Sequence, residues 1–287
     1  MSNSKIQWYP GHIAKAEKQL TKNLEKVDLV IEVRDARIPK STSHPHLNRW
    51  IDGKKHLLVI NREDMISTNI QAAWNEWFSG QGSNPIWCNA KTGKGVKFLH
   101  EEAIRAGLEI NERRKSRGML NRPVRALTLG FPNVGKSALI NRLAGKKVVD
   151  SAKRAGVTRT LRWVRMGQKL DLLDAPGVLP PRLDDQASAI RLAICDDIGQ
   201  GGYDVESVAI ELIKLIFRVK NQNESGIKVD LVENRYGVNF RKVGMNENEW
   251  LLAVSELHTS GNKTRMAQRI LDDFRKTLLG LISLEVP

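Results

Sequence analysis

Short apolar runs alternate with amphipathic stretches through the first 174 positions of the chain. Asp28-Leu-Val-Ile-Glu-Val33, His56-Leu-Leu-Val-Ile60, Pro85-Ile-Trp-Cys88, Val124-Arg-Ala-Leu-Thr-Leu129, residues 161–166 and Lys169-Leu-Asp-Leu-Leu-Asp174 read as strands. Residues 12–26, 69–79, 95–113 and 137–144 carry the apolar spacing of helices. Such alternation predicts a parallel, doubly wound α/β sheet with helices on both faces and ligands beyond the strand C-termini. Pro180-Pro181 marks the exit from this pattern. Beyond it, residues 184–199, 203–220, 247–258 and 262–279 have only helical periodicity. The expected division is an α/β domain over 1–182 and a smaller, mainly α-helical domain over 183–287.

The loop between Leu129 and Ala138 changes this picture. Gly130-Phe-Pro-Asn-Val-Gly-Lys-Ser137 follows a strand and opens a helix, the context of a phosphate-binding loop. Its glycines let backbone N–H groups close round phosphates. The amides of Asn133, Val134, Gly135 and Ala138 would contribute. Lys136 supplies positive charge and the Ser137 hydroxyl can ligate Mg²⁺. Asp174-Ala-Pro-Gly177 ends the last strand. Asp174 is placed to hold the metal through water, and the Gly177 N–H to reach a γ-phosphate. Between them, Thr158 in Gly156-Val-Thr-Arg159 is the candidate switch threonine that completes the Mg²⁺ shell.

Ordinary small GTPases place an Asn-Lys-x-Asp after the Asp-x-x-Gly motif. No such element follows here. Instead the strand 56–60 runs into Asn61-Arg-Glu-Asp64, upstream of the phosphate loop. An Asp64 carboxylate can accept from the guanine N1–H and N2–H₂ pair, which adenine lacks. Pro85-Ile-Trp-Cys88 leads into Asn89-Ala-Lys-Thr-Gly-Lys-Gly95, where the Ala90 N–H could meet guanine O6 and Lys91 flanks the base. Alone, either loop is an ordinary turn. Their mutual order makes them a pair.

Taken together these motifs resemble the circularly permuted GTPases of the bacterial ribosome-assembly type, the RbgA/YlqF group. Trp8-Tyr-Pro-Gly-His12 and Asp35-Ala-Arg-Ile-Pro39 belong to the resemblance, which covers essentially the whole chain. It implies a P-loop GTPase sheet in permuted order that binds GTP and GDP with Mg²⁺. It also implies a large ribosomal subunit precursor and its rRNA as partners, a late assembly step, and release after hydrolysis. Residues 113–123 would contain the seam that joins the ends of an unpermuted domain. Two positions depart from the family pattern. Arg62 stands where Lys is usual, although arginine also stacks on a base. Asn89 stands where Ser is usual.

Charge supports a polyanionic partner. The net charge is +14 over 287 residues. The surplus lies wholly in residues 1–182, and 183–287 carry slightly more acid than base. Lys15, Lys18, Lys22 and Lys26 recur at helical spacing opposite Ile13, Leu20, Leu24 and Val27. Arg113, Arg114, Lys115 and Arg117 form a second cluster. A lysine run is most often a solvated face, but a surplus of this size in one half favours nucleic acid. No apolar run approaches the ~18 residues of a membrane span. Cys88 and Cys195 lack metal-ligand or disulfide spacing. A cytoplasmic, membrane-free monomer is the expectation.

Hydrolysis needs a group that many GTPases carry on the residue after the Asp-x-x-Gly glycine. Here that residue is Val178, which cannot hydrogen-bond water. The family resemblance puts His12 in that role; otherwise His12 is a loop or helix-entry residue. Asn133 matches the K⁺ ligand of cation-dependent GTPases, or it simply forms the turn. Two other readings stay open. One is a guanine-nucleotide switch that recruits a protein partner without RNA. The other is an ATP-dependent enzyme using the same loop.

Overall fold

The computed structural model describes residues 20–150, 161–175, 177, 185–198, 202–217, 228–240 and 245–287. Six strands form one sheet: β1 (Leu29–Asp35), β2 (Lys55–Asn61), β3 (Ile86–Cys88), β4 (Val124–Leu129), β5 (Arg162–Met166) and β6 (Leu170–Asp174). Their order is β3-β2-β1-β4-β6-β5. The chain runs outward from β1 to β3, then returns to the other side of β1 with β4. The topological switch point, where open α/β sheets bind ligands, therefore lies between the ends of β1 and β4.

Five strands are parallel, and β5 runs antiparallel to β6. This corrects the all-parallel expectation. Only residues 167–169 separate the two strands, too few for a crossover, and Gly167 makes the reversal at φ 71°.

The apolar alternation of each strand sorts onto two faces. Leu29, Ile31, Val33, Ala126 and Leu172 face one way and pack with α3 (Val96–Ser116) and α4 (Lys136–Ala144). Val30, Leu127, Leu129 and Leu173 face the other way. Leu20, Leu24 and Val27 cover that side, as does Trp50 from α1 (Leu47–Ile51). The expected helix 12–26 is thus seen only in its last turns; its Lys22 and Lys26 are exposed, and Lys15 and Lys18 lie outside the described residues. Ile60 and Leu58 pack on Trp74 and Phe78 of α2 (Thr68–Gly80).

Among the described residues, the helices after Asp174 are α5 (Gln186–Cys195), α6 (Val205–Phe217), α7 (Val229–Tyr236), α8 (Glu247–Thr259) and α9 (Lys263–Arg275). Their apolar faces join the core cluster beneath the sheet. The final residues return to the loop after β1. The Leu284 N–H donates to the Arg37 carbonyl at 3.0 Å, and the Lys40 N–H donates to Glu285 Oε2 at 2.6 Å.

Candidate functional site

The parallel strands end on one edge, which brings Asp35, Asn61, Leu129 and Asp174 side by side. Gly130 leaves β4 at φ 155°, and a Cβ there would lie 2.3 Å from the Val33 carbonyl oxygen. Only glycine fits against β1 at that point. Asn133 takes φ 56° and Gly135 φ 99°, so the loop curls back on itself before α4 begins at Lys136. The first amides of α4, including those of Ser137 and Ala138, form the kind of helix N-terminus that holds a phosphate.

Lys136 is buried, and its Nζ donates to the carbonyls of Gly130 at 3.0 Å and Phe131 at 2.6 Å. Burial pushes its pKa down to about 8, while Asp174 and Asp197 pull the other way. Asp174 is pushed up to about 6 by burial, which outweighs its attraction to Lys136. Its Oδ1 is buried with no hydrogen-bond partner among the described residues. A carboxylate oxygen left bare beside a cationic loop suits a hydrated Mg²⁺. Gly177 abuts the same loop: a Cβ on it would lie 2.6 Å from Pro132 N and Cα. His12 and Thr158 lie outside the described residues.

The upstream loops converge on this cradle. Asn61 is buried at the end of β2. Its Nδ2 donates to the Val134 carbonyl at 2.8 Å, and its Oδ1 accepts from the Ala90 N–H at 3.1 Å. One side chain thereby ties the phosphate loop to both candidate guanine loops. Asp64 sits exposed in the short turn Glu63–Met65. Asn89 Oδ1 caps the amides of Lys91 at 2.9 Å and Thr92 at 3.0 Å, a local turn that the family's usual serine could form more weakly. From α4, Arg142 Nε donates to the Ala90 carbonyl at 3.3 Å, and its Nη2 donates to the Lys91 carbonyl.

Two sequence expectations change in detail. The Ala90 N–H is committed to Asn61, so guanine O6 would have to share or replace that acceptor. The Arg62 guanidinium is a bridge between protein groups here. It donates to Asp35 Oδ2 at 2.6 Å and to the Asn133 carbonyl, and lies 3.6 Å from Asp197 Oδ1. The two carboxylates on either side of it, which only the three-dimensional arrangement supplies, draw it away.

Those carboxylates belong to a buried cluster absent from the sequence expectations. Burial alone would raise the Asp35 pKa, but Arg37 and Arg62 hold it at about 2. Arg37 is itself buried, bonded to Asp35 Oδ2 at 2.7 Å and to the Cys195 carbonyl at 3.1 Å. The Asp35-Ala-Arg37 sequence is therefore a clamp between β1 and α5. Just past α5, the Asp196 carbonyl accepts from Asn133 Nδ2 at 2.7 Å. Asp197 is fully buried with neither oxygen hydrogen-bonded among the described residues. Burial, then repulsion by Asp35, pushes its pKa up to about 8 against the pull of Arg62 and Arg37. Neighbouring Asp196 could not have flagged it: a pair of acids at a helix end is ordinary.

Known proteins are similar to this chain. A family pattern described as a 50S ribosome-binding GTPase matches residues 125–234. The ribosome biogenesis GTPase A of Bacillus cereus is 36% identical over 234 residues, 79% of this chain and 79% of that protein. The protein of that name from Bacillus licheniformis is 32% identical over 285 residues, 98% of each chain. The chain belongs to the ribosome biogenesis GTPase A family. A crystal structure of GNP-bound YlqF from T. maritima, 22% identical, shares the fold with a TM-score of 0.59 over 95% of this chain and 98% of that one. The strand order described above, with the phosphate loop after β4, is part of that shared fold.

Two outcomes are expected of this chain. In Gly135→Ala, the new Cβ would lie 2.2 Å from Asn61 Nδ2, at a φ of 99° that alanine resists. Stability should fall by ~2–4 kcal/mol. Nucleotide affinity should fall with it, because Asn61 must leave either Val134 or Ala90. Urea melts that match the wild type would exclude this tight packing.

The second outcome is a pH window for Mg²⁺-supported nucleotide binding. Above about 8, the free protein has lost the Lys136 proton and must regain it to face phosphate. Below about 6, Asp174 is protonated and must lose its proton to face the metal. Affinity should be level between those limits and fall outside them by up to ~10-fold per pH unit. In Asp174→Asn the acid limb should shrink to the part due to the nucleotide's own phosphate. Calorimetry at pH 5, 7 and 9 reads both limbs, and equal acid limbs in the two proteins would remove Asp174 from the metal site.

Proposed function

We propose that this ribosome-assembly GTPase binds a maturing large ribosomal subunit through rRNA, promotes a late step, and leaves after converting GTP to GDP and phosphate. The observation that carries the nucleotide reading is Asn61, which bonds to the phosphate loop and to the Ala90 loop at once. In this reading Asp64 accepts from the guanine edge, and Ala90, Lys91 and Asn89 frame the base. Asn61 and Arg62 fix both loops to the phosphate loop. Asn133, Val134, Gly135, Lys136, Ser137 and Ala138 surround the phosphates, with Gly177 and Thr158 answering the γ-phosphate. Ser137, Thr158 and Asp174 hold Mg²⁺, which offsets the charge on the β- and γ-phosphates when bound. Asn133 Oδ1 stays available for K⁺ while its Nδ2 serves Asp196.

Hydrolysis forms a bond from water to the γ-phosphorus and breaks the bond to the β–γ bridging oxygen. His12 orients that water in place of the side chain missing at Val178. The chain is read as a nucleotide domain over 1–182 and a helical, ribosome-contacting module over 183–287. Loss of γ-phosphate would release Gly177, and the chain leads from there directly to the helical part. No helix among the described residues is long and apolar enough to cross a membrane. A cytoplasmic monomer fits this reading.

Co-sedimentation with immature and mature large subunits, in GDP and in a non-hydrolysable GTP analogue, tests it. Preferential binding to immature subunits with the analogue is expected, and binding should weaken steeply with salt. Equal binding in both nucleotide states would contradict the release step. Capture of a protein partner with no salt-sensitive subunit binding would favour the recruiting switch.

A further inference from the structure

The edge of the sheet opposite the nucleotide site carries a cleft of about 320 Å³. It lies where β1, β2 and β4 begin. Lys54 enters from the turn before β2, Arg113, Arg114 and Arg117 from the end of α3, and Arg122 from the approach to β4. The bland explanation is that cations at a helix C-terminus complement its dipole. That accounts for the arginines of α3 and not for Lys54 or Arg122, which come from two other chain segments.

Two of the five cations are bound into the wall. Arg122 meets Asp28 through both carboxylate oxygens, at 2.6 and 2.8 Å, and Arg114 Nε and Nη2 both donate to the Leu120 carbonyl at 3.2 Å. Asp28, the one carboxylate of the lining, is thereby neutralised. Lys54, Arg113 and Arg117 have no ion-pair partner within 4.0 Å among the described residues, and both of these arginines are exposed. Arg113 and Arg117, the residue that caps α3, are four positions and ~6 Å apart along the helix axis. Leu120 is 87% exposed beside them and Met119 39%. Apolar side chains on the rim suit a macromolecule more than a free anion.

We propose that this cleft is a docking surface for the phosphodiester backbone of RNA, with Lys54, Arg113 and Arg117 as its phosphate-binding groups. Guanidinium forks match phosphate oxygens in pairs, and Lys54 adds a point charge. The strands between the two edges are six or seven residues long, so about 20 Å separates this cleft from the phosphate loop. RNA and nucleotide can be held together. The inference rests on the RNA-binding reading above and assigns that binding to the nucleotide half instead of the helical module alone.

The test is fluorescence anisotropy of the full chain with a labelled 20-base-pair RNA duplex across a KCl series. Arg113→Gln/Arg117→Gln is compared with Lys97→Gln/Arg105→Gln, which removes two exposed cations of the same helix outside the cleft. The cleft variant should bind RNA at least tenfold more weakly, with a log–log salt slope shallower by about 2. Its GDP affinity should equal the wild type's, which also reports that it folds. The control variant should keep the wild-type slope. Equal losses in both variants, or an unchanged slope in the cleft variant, would overturn the proposal. Wild type that co-sediments with subunits yet ignores the duplex would overturn it and leave the assembly reading standing. Wild type that binds neither would overturn both.

Discussion

Lys136→Ala is expected to weaken GDP and GTP binding about 1,000-fold and to leave the fold intact. The Lys136 ammonium is held at the mouth of the loop by the Gly130 and Phe131 carbonyls, so it is already oriented when phosphate arrives. A charge-assisted bond in a desolvated site contributes ~1.5–3 kcal/mol, and two phosphate oxygens give ~4 kcal/mol, or about three decades in affinity. Stability should change far less. The substitution removes a buried cation whose lowered pKa records the cost of burying it. It also strips Asp174 of its attraction, and these effects oppose one another. Calorimetric titration beside a thermal melt checks both halves. Undiminished GDP affinity would remove Lys136 from the site.

His12→Ala should bind GTP and subunits as the wild type does, yet hydrolyse ~10²–10⁴-fold more slowly, the usual loss when a positioned proton-handling group is removed. Val178 offers no hydrogen bond to water, which leaves that role to another residue. On the proposed cycle, in which departure follows loss of γ-phosphate, the variant should stay on the immature subunit. Single-turnover hydrolysis with saturating subunits, first in K⁺ and then in Na⁺, reads the effect. A variant as fast as wild type makes His12 structural. Equal wild-type rates in the two salts would remove the cation role of Asn133.

Local pattern carried most of the fold. β4 is read correctly to the residue, because Pro123 and Gly130 bracket six residues of strand pattern. α8 is off by one residue, and it begins with a capping box at Asn246 and Glu249. α1 and α7 leave no periodic mark in the sequence: one is five residues long, the other eight, and neither offers enough turns to show a period. The antiparallel β5 was legible in principle, since three residues cannot carry a crossover.

The site divides along the same line. Spacing links Gly130, Gly135, Lys136 and Asp174 in the sequence, and the ends of β4 and β6 bring them together. The posture of Arg62 was not legible, because Asp35 lies 27 positions away and Asp197 comes from beyond the sheet. Asp197 itself gives no local signal. Its bare, buried carboxyl follows from how α5 ends against the phosphate loop. The Asp35-Ala-Arg37 motif shows no local sign of its role, because Arg37 reaches the Cys195 carbonyl, 158 positions further along the chain.

In the proposed site, a loop that precedes the phosphate loop in sequence reads the base. Asp64→Asn tests it most directly. An asparagine amide still accepts from N1–H but turns a donor toward position 2, which opposes the guanine amine and suits the xanthine carbonyl. Competition against labelled GDP should show that the wild type prefers GTP over ATP and xanthosine triphosphate. In the variant, GTP should weaken about 100-fold and xanthosine triphosphate should become the better ligand. GTP binding by the variant at the wild-type level, with no gain for the xanthine nucleotide, would contradict the upstream guanine reader.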